Sequence, residues 1–400
     1  MKLAYITAQT PWGRVETFII SEMLGMKEND IELVIVPRNP PKKVFHEEAQ
    51  TLLPDAIWLP LVNFSKIIFS LCVLLTNIRA WKILYNIFRY SRSWYIMIKN
   101  LAVFPKGLYI SRLLQKEGIE HIHVHWGSTT ATMAYIASQT SNIPWSLTLH
   151  RWDIAENNML EEKIKNASFT RAINDAGKEE ILHLIGQKYK NKVNVIHMGV
   201  KILPLTDRTK TNIIPTIVCA ANLVEVKGHK YLLEALAILK NRGYKFRCVI
   251  LGDGPEKENI LNEMQTLDLT SQVELRGMMP HEQVQKILYE ETDIVVLPSI
   301  VTEKAEKEGI PVVLMEAMSY GIPVIATNTG GIPELLAGEA GIIVEEKNSK
   351  QLATSLEKII QNKEFAKEIG VRGYRKVKEE FNLDKNVKNL LNMIKDNSAI

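Results

Sequence analysis

Between Asp293 and Ala326 the chain reads as strand, loop, helix and strand. Asp293-Ile294-Val295-Val296-Leu297-Pro298 is an apolar run closed by proline, and Ile322 to Ala326 is a second one. Short continuous apolar runs of this kind suit strands buried on both faces. The helical segment between them, starting near Pro311, ends on Gly321, a helix stop. Two strands joined through a helix lie parallel, and open parallel sheets bind ligands outside the C-terminal ends of their strands. Glu308 and Glu316 bracket this crossing. Pro311 suits the first helical turn, and Val312 and Val313 then offer free backbone N–H groups where an anion such as a diphosphate is favoured. Glu308, at the mouth, can accept hydrogen bonds from a polyol. Glu316 lies about two turns deeper on the same side and, within the apolar Leu314 to Met318, requires a partner. Taken alone, two glutamates on a helix are more simply a solvated face.

The same alternation recurs on both sides of residue 200. Lys2 to Thr7, Ile31 to Pro37, Glu120 to His125, Trp145 to His150 and Val193 to Ile196 read as strands of a first half. Ile217 to Ala220, Phe246 to Leu251 and Val273 to Gly277 continue the pattern in a second. A chain of 400 residues is too long for one core. The expectation is α/β with two doubly wound, Rossmann-like domains facing across a cleft: residues 1–200, 201–378, and a C-terminal helix in 379–400 returning to the first domain. The polar, proline-bounded stretch 201–215 reads as the linker. Gly13, after the first strand, lets backbone approach a ligand, although no G-x-G-x-x-G fingerprint is present.

A net charge of +4 argues against a protein dominated by nucleic-acid backbone contacts. Cys72, Cys219 and Cys248 read as reduced core thiols, and the short apolar N-terminus does not read as a signal peptide. Residues 56–116 hold nine basic side chains and no acid, interleaved with aromatics such as Trp58, Trp81, Tyr85, Phe88, Trp94 and Tyr95. That composition suits amphipathic helices on an anionic membrane surface, while Ile67 to Leu75 is too short to span one. His121, His123 and His125 share a strand face, but no carboxylate or cysteine stands at ligand spacing, so a metal site is the weaker reading. His125 and His150, at strand ends, are expected to face the inter-domain cleft.

Several motifs in this order resemble one family. They are Glu16-Thr17-Phe18-Ile19, His121 to Gly127, Thr148-Leu149-His150, His197-Met198-Gly199-Val200, Lys227-Gly228, Leu251-Gly252-Asp253-Gly254-Pro255, Glu308 to Ala317 and Thr329 to Glu334. Together they resemble retaining GT-B glycosyltransferases of the Glu-x7-Glu family (family 4, group 1). The stretch Glu308 to Glu316 is especially similar to exopolysaccharide and colanic-acid-type transferases. The resemblance implies a nucleotide diphosphate sugar as donor and a lipid-linked or growing polysaccharide as acceptor, at the cytoplasmic face of the membrane. It implies no cofactor and no metal, and the chain has no Asp-x-Asp to hold one on the donor. By the same resemblance Glu308 holds donor-sugar hydroxyls, Glu316 the ribose hydroxyls and Lys227 the departing diphosphate. Gly13 approaches that diphosphate, His150 sits by the sugar, and Arg276, Gly277 and Met278 flank the base. Gly309, Ile310, Val312 and Val313 complete the donor loop. The chain departs from the family at Ala221-Asn222-Leu223, where Gly-Arg-Leu is usual. Asn222 then supplies a neutral hydrogen bond, or a cation such as Arg14 substitutes. Three other readings share the architecture: a nucleotide-sugar epimerase, a phosphorylase and a non-catalytic membrane-bound partner subunit.

Overall fold

The computed structural model describes residues 1–13, 16–41, 43–61, 64–205, 213–304 and 306–398. The chain forms two compact units. Met1–Met198 and Asp384–Ile400 make unit 1, and Gly199–Leu383 makes unit 2. The boundary expected at residue 378 falls inside a helix, and residues 206–212 of the linker expected at 201–215 lie outside the described residues.

Unit 1 begins with β1 (Lys2–Thr7), α1 (Thr17–Lys27) and β2 (Glu32–Pro37). Three helices follow, α2 (Phe64–Thr76), α3 (Ile78–Tyr90) and α4 (Trp94–Lys116). Next come β3 (His121–His125), α5 (Thr129–Ser141), β4 (Trp145–Leu149), α6 (Arg151–Glu156), α7 (Leu160–Asn166), β5 (Phe169–Ala172), α8 (Asp175–Ile185) and β6 (Val193–Val195). The six strands are parallel in the order β2-β1-β3-β4-β5-β6. The core lies between this sheet and α3, α4 and α5, with Ile122, Val124, Leu147, Val103, Leu108 and Ile136 buried together.

The helices of residues 64–116 turn on capped breaks. Asn77 and Ser93 each accept a backbone N–H at the start of α3 and α4. Two of the nine cations do not face outward. Lys66 is buried and donates to Pro60 O. Lys106 is buried and gives N–H bonds to Pro37 O, Arg38 O and Leu59 O at 2.6, 2.9 and 2.6 Å. Of the expected core thiols, Cys219 and Cys248 are buried and Cys72 is exposed on α2.

Unit 2 runs β7 (Thr216–Ala220), α9 (His229–Asn241), β8 (Arg247–Leu251), α10 (Lys257–Thr266), β9 (Val273–Gly277), α11 (His281–Glu291) and β10 (Ile294–Leu297). It continues as α12 (Val312–Ser319), β11 (Val324–Thr327), α13 (Ile332–Leu336), β12 (Ile342–Val344), α14 (Ser349–Gln361) and α15 (Lys363–Glu380). Its six parallel strands are ordered β12-β11-β10-β7-β8-β9. The last helix, α16 (Leu383–Asp396), belongs to unit 1 from Asp384 onward and packs Val387 against Gly25 of α1.

Candidate active site

In unit 2 the strand order reverses between β7 and β10. Chains leaving two such strands diverge to opposite faces and open a crevice at their C-terminal ends. The loop after β7 carries Asn222 and Lys227, and the loop after β10 carries Ser299 and Glu308. Lys227 Nζ lies 2.5 Å from Glu308 Oε2, and Ser299 Oγ donates to the same oxygen at 3.1 Å. Both charged side chains are mostly covered, 19% and 14% exposed, so the pair is only partly screened by water.

Backbone contacts lock the two loops together. Ile300 N donates to Val226 O at 2.9 Å, and Thr327 Oγ1 donates to Ser299 O. Gly228, at φ 65°, passes so close that a Cβ there would sit 2.0 Å from Pro298 O. Gly330, at φ 60°, is held in the same way under Glu308 O.

Helix α12 starts at Val312, with Pro311 as the residue before it and not its first helical residue. Val312 and Val313, as its first residues, have no carbonyl one turn back to bond. Gly309 and Ile310 precede them on the same loop, where Gly309 O accepts from Gly331 N at 3.2 Å. Glu316 is buried, and its Oε1 takes hydrogen bonds from His281 Nε2 and, at 3.4 Å, from Gln285 Nε2. The partner required of Glu316 is therefore His281, the first residue of α11. Nothing in the sequence marked it, because the two positions are 35 residues apart.

Other expected donor-site residues are differently placed. Asn222 is exposed, and its backbone O accepts from Val224 N at 2.9 Å. Arg276 is committed to carboxylates. Its Nη1 and Nη2 donate to Glu291 at 3.2 and 3.0 Å and its Nε to Glu274 at 3.0 Å, which raises its pKa further. Gly277 O accepts from Gly252 N at 2.8 Å, and Met278 is exposed. Arg14, the alternative cation, lies outside the described residues.

In unit 1 the loop after β1 is organised by Glu16. Its Oε2 accepts from Gln9 N, Thr10 N and Thr10 Oγ1 at 3.0, 2.8 and 2.6 Å, and its Oε1 accepts from Trp126 Nε1 at 2.5 Å. Gly13 rides on this loop, where a Cβ would meet Gln9 Cβ at 3.1 Å.

The three histidines of β3 are wholly buried. His121 and His123 bond the Ser146 hydroxyl of β4 at 2.8 Å each, and His123 also bonds Thr148 at 3.0 Å. His125, expected at a cleft, is sealed between Tyr5, Glu22 and His150. A carboxylate does reach the histidines: potential ligand atoms of Glu22, His123 and His125 lie within 4.8 Å of one another. The donor set does not fit a cation, because the Arg171 guanidinium already occupies Glu22 at 2.5 Å. His150 is buried at the start of α6, with its N–H donating to Asp153 Oδ2 at 2.9 Å. Burial, helped by the nearby Arg171 charge, pushes its pKa well below the usual histidine range.

Residues 207–376 match the model of the family described as glycosyl transferases group 1. The chain is 36% identical over 195 residues to the putative colanic acid biosynthesis glycosyltransferase WcaL of Salmonella typhimurium, 48% of each chain. It is 32% identical over 248 residues to the amylovoran biosynthesis glycosyltransferase AmsK of Erwinia amylovora, 58% of this chain and 59% of that one. These matches thus span about half the length of the curated relatives. Among solved structures, Anabaena HepE in complex with UDP superposes with a TM-score of 0.72 at 15% identity, over 99% of this chain and all of that one, a likeness of fold. The two parallel six-stranded sheets have the GT-B fold, and residues 207–376 are similar to the glycosyl transferases group 1.

Proposed function

We propose that this protein is a retaining, metal-independent glycosyltransferase that moves a sugar from a nucleotide diphosphate sugar to a lipid-linked or growing polysaccharide. The observation that carries the reading is the pairing of Lys227 with Glu308 at the strand-order reversal, beside the free N–H groups of α12. Lys227 and the helix N-terminus supply fixed positive charge where a departing diphosphate develops its negative charge. Glu308 takes sugar hydroxyls, and Glu316 takes the ribose in exchange for His281. Gly13 and His150 serve the diphosphate and the sugar. The named roles of WcaL and AmsK in colanic acid and amylovoran biosynthesis, and the UDP held by HepE, support a nucleotide sugar and a polysaccharide.

The same proposal places the protein peripherally on the cytoplasmic face of the membrane. Among the described residues no single helix is long and apolar enough to cross a bilayer. Lys66–Thr76 and Ile78–Tyr90 form an apolar pair bent by 107°. At that bend Leu75 is 85% and Ile78 80% exposed, next to Trp81, Tyr85 and Phe88 and the exposed cations Arg79, Lys82 and Arg89. Apolar tips ringed by cations suit an anionic lipid surface.

The test is a panel of uridine, guanosine and adenosine diphosphate sugars, read first by thermal shift and then by release of the nucleoside diphosphate. A transferase is stabilised by one base class and releases its diphosphate faster when acceptor is added. Interconversion of the sugar nucleotide with no release, as an epimerase gives, overturns the reading.

A further inference from the structure

A line of polar side chains is sealed inside unit 1 and ends on His150. Arg171 of β5 donates Nη1 to Glu22 Oε2 at 2.5 Å, and its Nε and Nη2 to Ile196 O and His197 O at 2.7 Å each. Glu22 Oε1 accepts from the Tyr5 hydroxyl and from His125 Nε2, the latter at 2.8 Å. His125 Nδ1 then lies 3.1 Å from His150 Nε2. Arg171, Glu22, Tyr5 and His125 are each 2% exposed or less, and His150 is 8% exposed. They come from β5, α1, β1, β3 and the β4–α6 junction, so the line is assembled only by the folded sheet.

Its hydrogens can be placed by donor and acceptor count. Burial works against the charge of Glu22, but the Arg171 charge, with the hydrogen bond from His125, outweighs it and holds the carboxyl well below its usual range. An ionised carboxylate only accepts, so the Nε2 of His125 carries a hydrogen. A second proton on His125 would add an uncompensated charge to a closed Arg171–Glu22 pair, which is costly away from water. The Nδ1 of His125 is therefore bare, and the hydrogen in the His125–His150 contact sits on His150 Nε2.

We propose that Arg171, Glu22 and His125 are positioning residues that hold His150 as a neutral imidazole with its one proton on Nε2 and turned inward, so that it is never an acid towards substrate. The inference rests on the transferase reading only in giving His150 a substrate to serve. Within that reading it leaves the acceptor's proton to the departing diphosphate. Other groups face His150. Phe18 and Trp126 pack on its ring, His123 sits beyond His125, and Asp153 accepts its backbone N–H. Burial raises the Asp153 carboxyl to about 6, with buried Lys163 nearby lowering it. Asp153→Asn is therefore the control for any ionisation near that pH.

The first measurement needs no variant. In the whole protein labelled with 15N-histidine, long-range proton–nitrogen spectra should show His150 protonated on Nε2 alone from pH 5.5 to 8. An Nδ1–H signal, or titration of His150 in that range, overturns the proposal. Next, His125→Phe and Glu22→Gln are compared with the parent protein on the UDP-, GDP- or ADP-sugar that it turns over. The expected result is at least a tenfold fall in kcat with donor KM within about twofold, and a new ionisation in the pH profile of His125→Phe. Unchanged kcat in a folded variant whose His150 tautomer has been lost would overturn the positioning role. If the parent shows the tautomer and turns over none of these sugars, the transferase reading fails and the proton placement stands.

Discussion

Replacing Glu308 by Gln should have opposite effects on two ligands. Lys227 is already paired, 2.5 Å from Glu308. A diphosphate that takes Lys227 must break this pair. Each partner is less than one-fifth exposed, so the pair stands between solvated bridges, at about 0.2–1 kcal/mol, and buried ones, whose rupture costs about 3–5 kcal/mol. A value of about 1–2 kcal/mol fits that intermediate burial. Glu308→Gln removes the competitor and a negative charge beside the phosphates. The bare nucleoside diphosphate should therefore bind roughly five- to thirtyfold more tightly. The sugar loses its charged acceptor, a contact of about 2–3 kcal/mol, so turnover of the nucleotide sugar should fall about a hundredfold. Calorimetry with UDP, GDP and ADP gives the first quantity, and diphosphate release gives the second. If Glu308→Gln weakens the bare diphosphate as much as the nucleotide sugar, Lys227 and Glu308 do not exchange partners and the assignment is wrong.

Gly228→Ala should lower stability by about 2 kcal/mol or more, seen as a fall in Tm, since it adds a left-handed residue and a Cβ 2.0 Å from Pro298 O. Leu75→Asp with Ile78→Asp should abolish co-sedimentation with vesicles containing anionic lipid, while the parent's binding weakens with salt. Equal binding of the parent to neutral vesicles would refute the membrane assignment. Burial raises Asp153 from 3.8 to about 6, so the folded protein binds the proton more tightly than the unfolded chain does. Its contribution is full below pH 3.8 and is lost as pH rises through about 6. Denaturant titrations across pH 4–7 should show this slope, about 1–3 kcal/mol in all, flattened in Asp153→Asn.

Strands are legible in the sequence where they hold a continuous apolar run, as in β1, β2, β8 and β10. β5 is hard to see in Phe169-Thr170-Arg171-Ala172, a four-residue stretch whose arginine finds its carboxylate in Glu22, 149 residues away. α15 carries Gly370 and Gly373, a residue type that disfavours a helix interior. Here they let the helix touch the backbone, since a Cβ on Gly370 would lie 2.1 Å from Gly321 O. Lys227 and Glu308 could each be singled out by spacing and resemblance. Their contact could not, because 81 residues separate them and only the strand order brings the loops together. The contact of His125 with Glu22 is hidden for the same reason, since 103 residues separate them. A histidine at a strand end looks open to solvent until the helix that covers it is known.

The two crossings between the units have a further consequence. Val200 N donates to Phe381 O at 2.9 Å, and Leu383 N donates to Val200 O at 3.0 Å, so the way into unit 2 and the way out run side by side. Gly199 permits this, since a Cβ there would sit 2.5 Å from Leu383 Cα. Unit 2 is in effect a cassette with its leads soldered together. Its removal leaves two ends that a short linker can join, with little loop-closure entropy to overcome. The family match at 207–376 lies wholly inside the cassette. The matched half can therefore be exchanged between relatives as one piece, while the half bearing His150 and the exposed aromatic helices keeps its own surface.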